Sequence, residues 1–118
     1  MLNAPKQDSV YLEDALEYVQ LELQEVDNGL TLARLLENRN AQDLATHRII
    51  MTGESLNHVS DRFQKSHPEI AWSDIIGMRN VLLHDYAKVN YELVWRTLNE
   101  DFPGLAVTLL SLIESSDE

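Results

Sequence analysis

The sequence predicts an all-α protein, an up-and-down bundle of about five to six helices. Apolar residues recur at the three- and four-residue spacing of a helix through most of the chain, and no stretch alternates apolar and polar residues as a strand would. The chain has 118 residues, of which 44% are hydrophobic. That length is enough to bury one core but too short for two domains.

We expect the helical domain to span residues 8–115, between a flexible N-terminal tail of residues 1–7 and an acidic C-terminal tail of residues 116–118. Asp8 or Ser9 is suited to cap the first helix. The apolar stripe of this helix consists of six residues at helical spacing: Leu12, Ala15, Leu16, Val19, Leu23 and Val26.

A short helix is predicted near residues 31–37 and a long one over residues 41–63. Gly53 lies in the middle of the long helix, where glycine costs about 1 kcal/mol relative to alanine. A glycine at this position predicts that another backbone approaches closely. The helix that carries Arg79 is the candidate.

Three later features mark the remaining helices. Pro68 interrupts the chain, so the next helix begins at Trp72 or Ser73. Asn90 is suited to cap the helix after that, and Pro103 fits the first turn of the last helix.

Arg79, Asn80, His84 and Tyr86 form the candidate site, among apolar residues at helical spacing. On one straight helix Arg79 and Tyr86 share a face, whereas His84 lies roughly 140° around the axis from Arg79. One helix therefore cannot direct Arg79 and His84 at the same atom. Either the helix loosens near His84, or two copies of the segment face each other across a twofold axis, which makes a dimer the functional unit.

These residue types suit chemistry at phosphate. Histidine exchanges protons near neutral pH, and arginine binds phosphate oxygens through two parallel hydrogen bonds. No metal site is evident, and the simplest metal-free reaction is RNA cleavage by the substrate's own 2′-hydroxyl. In that reaction His84 would act as acid or base, Arg79 as the cation, and Asn80 would orient the phosphate or His84.

The motif resembles the Arg-x-x-x-x-His-x-Tyr signature of HEPN domains, and its surroundings are similar to the HepT-like toxins. The similarity covers about residues 40–105. Three blocks carry it in order: Gly53-Glu54-Ser55, where the family usually has Gly-Glu-Ala; His67 to Trp72 leading into Ile75 to Asn80; and Asn90 to Trp95 followed by Asp101-Phe102-Pro103.

The resemblance implies an all-helical homodimer of the HEPN type whose paired motifs form a ribonuclease centre. Arg79 and His84 would be catalytic, with Asn80 as the polar residue after the arginine. It also implies a HEPN/MNT (type VII) toxin–antitoxin pair. In that pair the MNT nucleotidyltransferase antitoxin silences the toxin by attaching AMP to the motif tyrosine, here Tyr86.

The net charge of −11 argues against an RNA-binding role, because non-specific binding depends on neutralising phosphates. The charge is unevenly distributed. Residues 1–33 hold seven acids and one base, residues 34–96 hold eight of each, and residues 97–118 hold five acids and no base. The acidic flanks would suit a basic partner such as an antitoxin.

Several other classes are not expected. The chain has no cysteine, so disulfides and thiolate chemistry are excluded and a reducing, cytoplasmic location fits. Neither a signal peptide nor a membrane span is recognisable, and no DNA partner or cofactor is indicated. Glu54 and His58, four residues apart, could share a helix face as two metal ligands, but no third ligand has supporting spacing.

Each motif residue also has a purely structural interpretation. Arg79 could be an ion-paired surface residue, His84 a helix C-terminal group favoured by the dipole, and Tyr86 a packing residue. The main alternative function is a non-catalytic HEPN adaptor that recruits a nucleotidyltransferase or a nucleotide. The intact motif favours the ribonuclease, and the acidic surface favours the adaptor.

Overall fold

The computed structural model describes residues 6–116, apart from the side chains of Lys6, Tyr86 and Ser116. Residues 1–5 and 117–118 of the two predicted tails lie outside this range. All regular structure within it is helical, in this order: α1 Lys6–Asp27, α2 Leu32–Glu37, α3 Arg39–Asn57, α4 Asp61–Ser66, α5 Trp72–His84, a 3₁₀ turn Tyr86–Lys88, α6 Tyr91–Arg96, a π-helical turn Thr97–Asp101 and α7 Phe102–Ser116.

The all-α prediction is confirmed, and the expected number of helices is close to the observed one. Across the described residues α6, the π-helical turn and α7 follow one another without leaving helical geometry, because both junction residues, Thr97 and Phe102, are in the right-handed helical region. The two helices predicted for this part of the chain are therefore joined into one run.

The core lies where α1 and α5 pack on α3 and where α7 packs on α1. The stripe predicted for α1 is confirmed, since Leu12, Ala15, Leu16 and Val19 are buried, while Leu23 and Val26 pack against the core from its edge. The other fully buried large apolar side chains come from α2, α3, α6, the π-helical turn and α7: Leu35, Ile49, Leu56, Val94, Leu98, Phe102 and Leu109.

The predicted cap of α1 is wrong. The helix begins at Lys6, so Asp8 and Ser9 lie inside it. The Asp8 side chain is 3% exposed and instead accepts hydrogen bonds from the backbone N–H of Ser60 at 2.8 Å and from its hydroxyl at 2.6 Å. Asp8 thus joins α1 to the start of α4, a tertiary contact that local sequence signals do not reveal.

The long helix predicted over residues 41–63 is also divided. Asn38 caps α3, accepting a hydrogen bond from the N–H of Ala41 at 2.9 Å, and the helix ends at Asn57. Ser60 then caps α4, its hydroxyl oxygen accepting from the N–H of Phe63 at 3.2 Å. Because Asp8 holds Ser60 in this capping position, the helix breaks between residues 57 and 61 although the apolar stripe continues through it.

The other predicted boundaries are confirmed. α5 begins at Trp72. The Asn90 side chain caps α6 by accepting from the N–H groups of Glu92 and Leu93 at 3.1 and 3.2 Å. Pro103 occupies the first turn of α7.

Candidate functional site

The motif helix α5 crosses α3 at Gly53, as the sequence predicted. A Cβ atom added to Gly53 would lie 2.5 Å from the Cβ of Arg79 and 3.2 Å from the carbonyl oxygen of Ile75. Real Cβ atoms essentially never approach another atom as closely as the first of these distances, and the second is unusually tight, so only glycine permits this crossing without a shift of the helices. The close approach places the residue after Gly53 directly beside the motif arginine.

That residue is Glu54, and it pairs with Arg79. The Arg79 Nη2 donates to the Glu54 Oε2 in an ion pair, while its Nη1 donates to the Asn80 Oδ1 at 2.8 Å. The Arg79 side chain is 22% exposed, and its Nε is buried without a hydrogen-bond partner among residues 6–116. The guanidinium is therefore held in one orientation at the surface of the α3–α5 contact.

Glu54 has a second partner, His58, one turn further along α3. The His58 Nε2 lies 3.1 Å from the Glu54 Oε1, and its ring stacks on Tyr11 at a centroid distance of 5.1 Å. Partial burial raises the pKa of Glu54, but hydrogen bonds and charges from Arg79 and His58 outweigh it and hold the pKa below its usual value. Glu54 is thus an anion that links the basic side chains of Arg79 and His58.

Glu54 and His58 have no third metal ligand beside them among the described residues. Within residues 6–116, no group of three or more His, Asp or Glu side chains is arranged to hold a metal ion. Both residues are already engaged, Glu54 with Arg79 and His58 with Glu54.

His84 is the last residue of α5 and is exposed. The helix does not loosen before it: the N–H of Asp85 still bonds to the carbonyl of Val81 at 2.9 Å, as in a regular helix. Arg79 packs against α3, and His84 lies five residues later, roughly 140° around the axis at 3.6 residues per turn. The first of the two sequence-based alternatives, a loosened helix within one chain, is therefore removed.

Tyr86 follows the end of α5 rather than continuing it. Asp85 has a φ of −109° and a ψ of 23°, and Tyr86–Lys88 form a 3₁₀ turn. The expectation that Arg79 and Tyr86 share a helix face is wrong, because it required an unbroken helix through residue 86. The Tyr86 side chain is outside the described atoms, so its role as an AMP acceptor stays a prediction.

A cleft of about 640 Å³, here called the motif cleft, adjoins Asn80. It lies between the α4–α5 connection and one flank of α5. Its lining includes four residues of α5: Trp72, Ser73, Gly77 and Asn80. Of the described residues that line the cleft, only Lys65 is charged.

A second cleft, of about 670 Å³, lies between α5, the π-helical turn and α7 and is here called the acidic cleft. Its charged lining consists of four carboxylates and one guanidinium: Glu69, Asp74, Glu100, Asp101 and Arg96. Burial, together with repulsion from Glu100 and Asp74, raises the pKa of Asp101 even though Arg96 opposes the shift.

The sequence did not predict that Glu54 pairs with Arg79. It also did not predict that Lys65 lines a cleft beside the motif. A signal for Glu54 was present, because a helical glycine that marks a close crossing also places its neighbour at the crossing helix. Lys65 had no such signal, since its approach to Asn80 depends on the path of the chain between α4 and α5.

The chain matches the family described as "Ribonuclease HepT-like" over residues 10–112. It is 30% identical over 95 residues to "Probable ribonuclease HepT" of Thermococcus cleftensis, covering 80% of this chain and 86% of that protein. It is 24% identical over 104 residues to "Putative RNase TTE0752" of Caldanaerobacter subterraneus subsp. tengcongensis, covering 88% of this chain and 92% of that protein. No solved structure shows significant similarity to the chain.

An all-helical bundle with an Arg…His motif on one helix and a family match over most of its length define the class. The chain belongs to the ribonuclease HepT-like family, and the resemblance inferred from its motifs is confirmed. Among the helices of residues 6–116, none is long and apolar enough to cross a bilayer.

Proposed function

We propose that this protein is the toxin of a HEPN/MNT toxin–antitoxin pair and a metal-independent endoribonuclease that acts as a homodimer in the cytoplasm. One observation carries the composite-site part of the proposal: Arg79 and His84 lie on one regular helix but on different sides of it. A single chain cannot present both to one phosphate, whereas two chains facing each other can.

The reaction we propose is transesterification at an RNA phosphodiester. His84 of one subunit takes the proton of the 2′-hydroxyl, and the 2′-oxygen attacks the adjacent phosphorus to form a 2′,3′-cyclic phosphate. The bond to the 5′-oxygen of the next nucleotide breaks, and the same His84, now protonated, returns the proton to that leaving oxygen. The proton balance closes on one histidine, which acts first as the base and then as the acid, without a metal.

Arg79 would stabilise the negative charge that develops on the phosphate oxygens. A guanidinium carries five N–H donors, and the contacts to Glu54 and Asn80 account for two of them. Glu54 would orient Arg79 before RNA arrives, so the arginine reaches the phosphate in a fixed geometry. Asn80 would orient the guanidinium from its other side.

The surface around His84 supports dimerisation of this segment. Val81 and Leu83 are each 48% exposed on the C-terminal half of α5. Large apolar side chains exposed beside a polar motif are typical of an interaction surface. Val81 lies one turn before His84 on the same face of α5, so a second copy packed on this face would cover Val81 and bring the His84 of each subunit towards the Arg79 of the other.

A subunit-mixing experiment tests the composite site. We expect Arg79→Ala and His84→Ala proteins to be inactive alone against a fluorescent RNA, because each lacks one member of every site. Mixed, unfolded and refolded together in equal amounts, they should recover about a quarter of wild-type activity, since half of the dimers are hybrids with one intact site.

The control is each variant refolded alone, with circular dichroism and sedimentation confirming that it folds and dimerises. No recovery in hybrids that demonstrably form would place Arg79 and His84 in the same subunit's site and overturn the composite arrangement. Full activity of either variant alone would remove that residue from catalysis.

We further propose that an MNT nucleotidyltransferase antitoxin silences the toxin at Tyr86. The phenol oxygen would attack the α-phosphorus of ATP, forming a tyrosyl–AMP ester and releasing pyrophosphate. The acidic N- and C-terminal segments of the chain suit a basic surface on such a partner. An added AMP would place a negative phosphate two residues beyond His84, where it would repel RNA.

Intact mass spectrometry tests this modification. After incubation with the neighbouring nucleotidyltransferase and ATP, the wild-type mass should rise by one or more AMP units, and peptide mapping should place them on Tyr86. The matched control is Tyr86→Phe, which lacks only the acceptor oxygen. An equal mass gain in Tyr86→Phe would exclude Tyr86 as the acceptor.

A non-catalytic adaptor is the second candidate, and one observation favours it. Glu54 already neutralises Arg79 within the subunit, so the arginine is less available to an external phosphate than a free guanidinium would be. Purified protein that binds the transferase or a nucleotide but cleaves no RNA under any condition would select the adaptor.

A further inference from the structure

We propose that the motif cleft is a subsite for single-stranded RNA, holding a nucleotide next to the scissile phosphate with Lys65 at a flanking phosphate. The inference deepens the proposed function, on which it rests for the identity of the substrate. It assigns a binding role to residues outside the Arg…His motif.

Charge is the first argument. The protein has a net charge of −11, yet the charged residue lining the motif cleft is a lysine, and no carboxylate of the described residues lines it. Lys65 forms no ion pair within the described part of the chain. Its ammonium is therefore available to a phosphate oxygen, in contrast to Arg79, which Glu54 already holds.

Continuity with the motif is the second argument. Asn80 lines the cleft, and its Oδ1 accepts a hydrogen bond from Arg79 at 2.8 Å. An RNA strand with one phosphate at Arg79 would pass Asn80, the next residue of α5, and enter the motif cleft there. The cleft of about 640 Å³ is within the size range of small-ligand sites, about 300–1,000 Å³.

The floor of the cleft suits a base. The apolar surface there comes from Pro68, Ile76 and the small exposed part of Trp72, a core residue that is 8% exposed. The indole of Trp72 is held in place because its Nε1 donates to the carbonyl of His67 at 2.8 Å. Apolar and aromatic surface beside a cation is the combination that binds single-stranded nucleic acid without strict sequence preference.

Gly77 keeps the cleft open. It lines the cleft, and among the described residues no atom outside its own turn of helix lies within 4 Å of the position that a Cβ would take there. No contact within residues 6–116 therefore requires a glycine at this helical position, which costs about 1 kcal/mol relative to alanine. A side chain at residue 77 would project into the space that the proposed nucleotide occupies.

This glycine allows a blocking experiment with a matched control. Gly77→Leu fills the motif cleft, and Gly104→Leu makes the same change at a helical glycine of the acidic cleft, where an added Cβ also meets no atom of the described residues outside its own turn of helix. Both variants should fold, because leucine is the better helix former. Lys65→Gln removes the cation alone, and Lys88→Gln removes a cation that does not line the cleft.

Binding is measured by fluorescence anisotropy with a 2′-O-methyl oligoribonucleotide, which cannot be cleaved, at several salt concentrations. Gly77→Leu should weaken binding about tenfold, the loss expected for one stacked base, and Gly104→Leu should leave it unchanged. Lys65→Gln should reduce the slope of log K against log salt by about 0.7, as for one phosphate contact on a single strand, and Lys88→Gln should not.

The outcomes separate this inference from the proposed function. Wild-type protein that binds the oligonucleotide through Gly77 and Lys65 but cleaves no RNA would support the subsite and reject the ribonuclease. Wild-type cleavage with unchanged binding and cleavage in Gly77→Leu and Lys65→Gln would overturn the subsite alone. Loss of association with the nucleotidyltransferase, but not of RNA binding, in Gly77→Leu would assign the cleft to a protein and also overturn it.

Discussion

The two clefts beside α5 are similar in size but opposite in charge. Four carboxylates and one guanidinium line the acidic cleft, whereas Lys65 is the charged residue of the motif cleft. Residues Asp74 and Met78 face the first cleft, and Ser73 and Asn80 face the second, so one helix separates two electrostatic environments. A net charge of −11 therefore does not decide whether a particular surface can bind RNA.

A carboxylate near each cleft shows the same contrast. Glu54 is partly buried, yet Arg79 and His58 hold its pKa below the usual value. Asp101 lies among other carboxylates. Burial and the negative charges of Glu100 and Asp74 raise its pKa above the usual value. The negative charge of Glu54 is therefore compensated inside the fold, whereas that of the acidic cleft is left for solvent or another molecule to compensate.

The largest expected effect concerns activity. His84→Ala and Arg79→Ala should each lower the rate of RNA cleavage by about 100-fold or more, the range for loss of an acid–base or charge-stabilising group. Asp74→Asn and Asp101→Asn should stay within about twofold of wild type. The measurement is the rate of cleavage of one RNA substrate by each variant. If the Asp variants lost as much activity as the motif variants, the two sides of α5 would not differ in function.

A smaller effect concerns stability at two glycines. Gly53→Ala should lower the free energy of unfolding by about 1–3 kcal/mol, because its Cβ would overlap Arg79 at the α3–α5 crossing. Gly104→Ala, at the acidic cleft, adds a Cβ that meets no described residue outside its own turn of helix and should raise it by up to about 1 kcal/mol through helix propensity. Urea denaturation of both variants is the measurement, and equal stabilities would contradict the close crossing.

The smallest effect concerns pH, and its sign differs between the clefts. The pKa of Glu54 is lowered from 4.5, so its contribution to stability is complete above pH 4.5 and is lost as the pH falls through the folded-state pKa. The pKa of Asp101 is raised from 3.8, so its contribution is complete below pH 3.8 and is lost as the pH rises through its folded-state pKa.

Two isosteric variants check these signs. At neutral pH, Glu54→Gln should be less stable than wild type and Asp101→Asn more stable, and both differences should shrink on acidification as the carboxyls protonate. Unfolding free energies between pH 3 and pH 7 provide the test. A pH profile of Glu54→Gln that runs parallel to wild type throughout would show that the Arg79 pair does not contribute to stability.

Sequence periodicity predicted the helices well where the signals were local. The α1 stripe, the start of α5 and the Asn90 cap all follow from residues near each other in the chain, and the close crossing was signalled by Gly53 itself, a glycine inside a helix. The predictions failed where a distant residue decided the boundary. Asp8 bonds to Ser60 across 52 positions, and it therefore serves as a tertiary contact instead of capping its own helix.

The sequence by itself determined the all-α class, the family, and the identity of the motif residues Arg79, Asn80 and His84, because spacing and residue type carry that information. Only the tertiary structure decided that Glu54 holds Arg79, that the helix stays regular through His84, and that Lys65 and Asn80 line one cleft. The physical reason is that these relations depend on how α3, α4 and α5 pack in space, and packing joins residues that no local pattern connects.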